Sequence, residues 1–89
     1  MSTSPKKETV VVVGLGYVGL PLACLAAEKG YRVFGYAKNP EKIAMINRKE
    51  SPMEDAALSS WLTRVDLTAT TDPSVIRDAS IVVVCVPTP

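Results

Sequence analysis

Gly14, Gly16 and Gly19 stand at G-x-G-x-x-G spacing directly after the β-branched run Val10-Val11-Val12-Val13. Those residue types in that order suit one task, which is holding a pyrophosphate. Gly14 lets the chain turn sharply out of a strand, and Gly16 lets the backbone come close to the phosphates. Gly19 removes a side chain where a helix must pack tightly on the sheet. The amides that open that helix then face the phosphates with the positive end of its dipole. Three glycines at this spacing arise by chance. Set between a buried strand and an Ala/Leu-rich helix, they mark a dinucleotide-binding loop.

The same stretch admits a second reading. Lys6 and Lys7 precede an uncharged run from Thr9 to Ala27, which superficially resembles a signal peptide with Cys24 as a lipoprotein cysteine. Three glycines and Pro21 inside that run argue against it, since a signal core requires none of them at these spacings. The run also barely reaches the roughly 20 apolar residues that a membrane helix needs.

The 89 residues correspond to one domain or part of one, and 47% apolar content is enough to support a core. Net charge is +1 with both signs interspersed, so no electrostatic grip on nucleic acid or membrane is expected. Histidine is absent and the two cysteines are far apart, which excludes a Ser-His-Asp triad and zinc-site spacing within the chain. Cys24 falls in a predicted helix and Cys85 in a predicted buried strand, where cysteine acts as a small hydrophobe. No disulfide is expected, and the composition suits a reducing cytoplasm.

The elements that position the loop can be read in order. Residues 1–8 are polar and aperiodic and read as a flexible tail. A strand over 9–13 leads through the glycines into a helix over 17–29, with Pro21 in its first turn and Gly30 as its stop. A strand over 31–37 follows. Asn39-Pro40-Glu41 then starts a helix that faces the core with Ile43 and Ile46 and is interrupted by Ser51-Pro52. Leu58, Trp61, Leu62 and Val65 form an amphipathic stripe on a further helix over 54–63. A strand over 65–70, a short helix opened by Asp72-Pro73, and a continuously apolar strand over 81–86 complete the chain.

This β-α-β-α-α-β-α-β order predicts an α/β fold, a partial doubly wound parallel sheet of the Rossmann type with strand order 3-2-1-4. The first and fourth strands then lie side by side, and ligands bind outside the carboxyl ends of strands at such a switch point. The glycine loop and the 86–89 turn should therefore flank one cleft.

Val-Gly-Leu-Gly-Tyr-Val-Gly-Leu-Pro-Leu-Ala (13–23), Asn-Pro-Glu-Lys-Ile (39–43), Ile-Asn (46–47) and Val-Pro-Thr-Pro (86–89) resemble the nucleotide-sugar 6-dehydrogenases. The resemblance covers 9–89 and is closer to the UDP-N-acetylhexosamine branch than to the UDP-glucose branch. It implies an enzyme that oxidises a sugar C6 alcohol to a carboxylate in two hydride transfers to NAD, with a nucleotide-sugar substrate and a homo-oligomeric assembly. In that family a downstream cysteine holds the thiohemiacetal and thioester between the transfers. Neither Cys24 nor Cys85 matches its motif, so no catalytic residue is assigned here. On this reading 9–89 is the N-terminal part of a cofactor domain and has no turnover alone. A non-catalytic nucleotide-binding module and another Rossmann oxidoreductase, such as a β-hydroxyacid dehydrogenase, are the alternatives. An open sheet edge argues against the first, and Val-Pro-Thr-Pro against the second.

By the same resemblance Tyr17 and Val18 contact the pyrophosphate through their backbone, and Pro87-Thr88 lines the nicotinamide end. Lys42 sits near the adenosine ribose. The chain departs from the family at Ala37, where an aspartate usually ends the second strand and bonds the ribose hydroxyls. Two cofactors stay open. Either Lys38, Asn39 and Lys42 receive the 2′-phosphate of NADP, or the protein uses NAD without the charged hydrogen bond, at a loss of about 1.5–3 kcal/mol.

Overall fold

The computed structural model describes residues 8–52 and 55–85. Residues 1–7 of the expected 1–8 tail, the helix start at Glu54 and the Val86–Pro89 turn lie outside the described residues. Four parallel strands, β1 (Thr9–Val13), β2 (Arg32–Tyr36), β3 (Leu67–Thr70) and β4 (Ile81–Val84), form one sheet in the order β3-β2-β1-β4. This is the predicted 3-2-1-4 arrangement. Three helices, α1 (Gly19–Glu28), α2 (Pro40–Asn47) and α3 (Ala56–Arg64), connect the strands together with a 3-10 turn at Pro73–Asp78.

Strand alternation and register explain which side chains meet. Val10 pairs with Val33 and Val33 with Leu67; Val12 pairs with Gly35 and Gly35 with Ala69. These two rows share one face and join Leu20, Ile46 and Leu62 in the core. Each fully buried aliphatic side chain there contributes about 1.5–3 kcal/mol relative to exposure. Val11, one residue out of phase, is fully buried outside that cluster, on the opposite face.

Three of the four helical segments begin on a capping side chain. Asn39 accepts from the Glu41 and Lys42 amides, Asp55 from Leu58, and Asp72 from Ser74. The Ser74 amide holds the Asp72 carboxyl below the usual carboxylate range. Pro40 and Pro73 occupy first-turn positions, as predicted.

Helix ends are also local events. At Gly30 (φ 98°) α1 closes as predicted, with the Gly30 amide donating to the Ala27 carbonyl and the Tyr31 amide to Ala26. The same closure ends α2 at Lys49 (φ 68°), whose amide donates to Ile46 while that of Glu50 donates to Met45. Ser51-Pro52 is therefore not what stops α2; the left-handed residue two positions earlier does.

Several other boundaries differ from the sequence reading. Regular α1 begins at Gly19 and not at Tyr17, because residues 14–18 are spent on the turn out of β1. The segment after Asp72 is a 3-10 turn and contributes no buried residue. The continuous apolarity of β4 predicted burial on both faces, yet Ile81 and Val82 are each 42% exposed and Val84 64%. Among the described residues β4 is flanked by a strand on one side only, β1, and has too few neighbours to cover it. Cys85 follows β4, and is half-buried rather than part of a buried strand.

Candidate functional site

β1 delivers the glycine loop to the carboxyl edge of the sheet. Gly14 turns there with φ 97°, a left-handed conformation that glycine adopts without a Cβ penalty. Its amide donates to the Tyr36 carbonyl at 2.9 Å, which ties the start of the loop to the end of β2. The two later glycines do different things. A Cβ at Gly19 would overlap the Gly14 carbonyl oxygen and lie 3.2 Å from Cys85 Cβ, so Gly19 is where α1 seats against the loop and the end of β4. A Cβ at Gly16 would meet nothing within 4 Å among the described residues. Space at Gly16 is open there, and the packing of the described residues does not explain glycine at this position.

The start of α1 is unlike the other described helix starts. Its N-cap is Val18, which offers no side-chain hydrogen bond, where the others have a capping Asn or Asp. Tyr17 and Val18 are 84% and 68% exposed, so their side chains pack on nothing that would fix their identity. What the segment presents is an uncapped helix terminus with its dipole's positive end outward.

Gly14 and Gly16 line a cleft of about 320 Å³ together with Ala37, Lys38 and Lys42. Five of the ten residues singled out from sequence thus share one hollow, at the carboxyl ends of β1 and β2. Tyr17, Val18 and Gly19 follow in the same loop without lining it. Pro87 and Thr88 lie outside the described residues. The last described residue, Cys85, donates its amide to the Val13 carbonyl at 2.7 Å, next to the start of the loop. The described cleft lies on the β1–β2 side, whereas the expected one spans β1 and β4.

Asn39, expected beside the 2′ position, also lines the cleft, and sequence reasoning missed three further contributors, Val13, Leu15 and Tyr36. Leu15 is only 2% exposed because its side chain fills the space above Gly35, where a Cβ would come within 2.7 Å of it. A glycine inside a strand signals such a close approach, and Gly35 was the available clue.

No acid lines the cleft, and neither lysine ammonium has an ion-pair partner among the described residues, where the single ion pair is Arg48–Glu50. The described residues contain no group of three or more potential His, Cys, Asp or Glu metal ligands. Both cysteines are free thiols. Burial pushes the Cys24 thiol up to about 11, against a smaller opposing pull from Lys49, which leaves it protonated at neutral pH. No helix among the described residues is long and apolar enough to cross a membrane.

The open space at Gly16 and the uncapped α1 terminus fit a bound dinucleotide. Comparison with known proteins points the same way. The chain is 34% identical to UDP-N-acetyl-D-mannosamine dehydrogenase from Methanococcus aeolicus, a match covering 100% of this chain and 21% of that protein. It is also 34% identical to UDP-glucose 6-dehydrogenase from Streptococcus pneumoniae, covering 89% of this chain and 21% of that one. The structure of GDP-mannose dehydrogenase from Pseudomonas aeruginosa superposes with a TM-score of 0.84 at 32% identity, over 90% of this chain and 20% of that one. The chain thus spans about a fifth of the length of the relatives it matches. Residues 8–89 match the NAD binding domain of the UDP-glucose/GDP-mannose dehydrogenase family, and the chain belongs to that family.

Proposed function

We propose that this chain is the N-terminal part of the cofactor domain of a nucleotide-sugar 6-dehydrogenase acting on a UDP-N-acetylhexosamine. The observation that carries the reading is the uncapped start of α1 beside the open space at Gly16, while the other helical segments among the described residues are all side-chain capped. In this reading the amides of Gly16, Tyr17 and Val18 hold the pyrophosphate, and Gly14 and Gly19 set the loop's shape. Ala37, Lys38 and Lys42 flank the adenosine ribose, and Pro87-Thr88 borders the nicotinamide end. When bound, the nicotinamide accepts hydride from the sugar C6. The oxidation to carboxylate takes two such transfers and needs a nucleophile from outside these 89 residues.

The choice of an N-acetylhexosamine is supported by a mannosamine dehydrogenase that matches the whole chain. The names of the other two relatives carry glucose and mannose. The reading places the protein in the cytoplasm with soluble NAD and nucleotide sugars, and assigns assembly of a homo-oligomer to regions outside this chain.

The test is turnover of the full-length protein on UDP-N-acetylmannosamine, UDP-N-acetylglucosamine and UDP-glucose with NAD, followed by NADH absorbance. Two NADH per sugar with an acetylated hexose preferred is the expected result. Oxidation of UDP-glucose alone removes the sugar assignment. Turnover by residues 1–89 in isolation removes the claim that the nucleophile lies elsewhere.

A further inference from the structure

We propose that the adenosine end of the cleft accepts a 2′-phosphate, so that the protein binds NADP as well as NAD. The proposal rests on the reading of the glycine loop as a dinucleotide site and goes beyond the family's NAD.

The end of β2 decides what surrounds the ribose 2′ position. In dinucleotide folds an acid there, about 20 residues beyond the glycines, bonds the 2′-hydroxyl and repels a 2′-phosphate. Here that place is taken by Ala37, half-buried against the core, with its amide donating to the Thr70 carbonyl at 3.3 Å. It offers no acceptor to a hydroxyl and no negative charge against a phosphate. Lys38 follows on the exposed side and Lys42 enters from the first turn of α2, both lining the same cleft. Lysine binds phosphate as a point charge, and neither ammonium is neutralised by a described ion pair.

The nearest acid in sequence does not offset them. Glu41 lies along a separate groove with Ala44, Met45 and Arg48. Asn39 is committed to capping α2 through its Oδ1 and adds no charge. The described lining is therefore cationic, where a site selective for NAD carries an acid.

Binding of ADP-ribose and 2′-phospho-ADP-ribose to the full-length protein, measured by calorimetry, isolates this end of the cofactor. Both ligands lack nicotinamide, and their affinity ratio on any one variant is independent of the fraction folded. Wild type is expected to bind the two within about tenfold of each other. Ala37→Asp should shift the ratio about tenfold or more toward ADP-ribose, and the Lys38→Ala/Lys42→Ala double variant should weaken the phosphorylated ligand selectively by a similar factor. A wild-type preference for ADP-ribose beyond about a hundredfold overturns the proposal, as do substitutions that move both affinities equally. Failure of both ligands to bind overturns the dinucleotide reading itself, a distinguishable result.

Discussion

Leu15 and Gly35 are fitted to one another across the loop and the sheet. A Cβ on residue 35 would come within 2.7 Å of Leu15 Cδ1 and 2.8 Å of Cδ2, and Leu15 is 2% exposed. The first variable position of the glycine motif is thereby an anchor. Leu15 pins the loop to β2 with its side chain, while its neighbours Gly14 and Gly16 line the cleft with it. In the proposed reading, rigid placement of the loop amides begins with that contact.

Gly35→Ala is expected to lower stability by about 1–3 kcal/mol through overpacking. Leu15→Ala should lower it by about 2–5 kcal/mol through the cavity it leaves. The two should not add, because removing the Leu15 side chain makes room for the methyl introduced at position 35. A denaturation double-mutant cycle checks this, and strict additivity would show that the two side chains do not share the space.

Asn47 closes the sheet's β3 edge in an analogous way. Its Nδ2 donates to the Ala69 carbonyl and its Oδ1 accepts from the Ala69 amide, both at 2.9 Å, so one side chain satisfies an edge residue as a neighbouring strand would. Asn47→Ala should cost about 1–3 kcal/mol and speed hydrogen exchange at the Ala69 amide. Unchanged exchange there would mean that the pairing does not persist in solution.

Cys24 sets an alkaline limit. Its thiol is raised from 9.0 to about 11 by burial, so between those values the unfolded chain loses a proton that the folded one keeps. Stability is unaffected below the unfolded pKa and should fall as pH rises through this window. Cys24→Ala should flatten that fall, and Cys24 in the native protein should resist thiol reagents at neutral pH. Rapid labelling of Cys24 under native conditions would contradict its burial.

What could be read from sequence divides along a physical line. The glycine loop, the Asn39 and Asp72 caps, the Gly30 stop and the strand order all follow from local backbone preferences and the handedness of crossovers. Contacts that require register could not be read that way. Leu15 meets Gly35 because β1 and β2 align Val12 with Gly35, and Asn47 reaches Ala69 22 residues away. Lys49 in the left-handed region has no composition signal, since glycine is the usual residue there. The exposure of β4 depends on what lies beside it, which apolar periodicity alone does not encode.

Gly16→Ala tests the central claim most directly, because Gly16 is open where Gly19 is closed. A methyl at residue 16 meets no atom of the described residues within 4 Å and requires no unusual φ, whereas one at residue 19 collides with the Gly14 carbonyl. Melting and NADH titration of the full-length protein should separate the two. Gly16→Ala is expected to melt within about 1–2 °C of wild type, a shift equivalent to well under about 1 kcal/mol, yet to bind NADH at least about tenfold more weakly. Gly19→Ala should lose stability outright. Wild-type NADH affinity in a normally folded Gly16→Ala protein would contradict the account, because the space at Gly16 would then not be where the pyrophosphate lies.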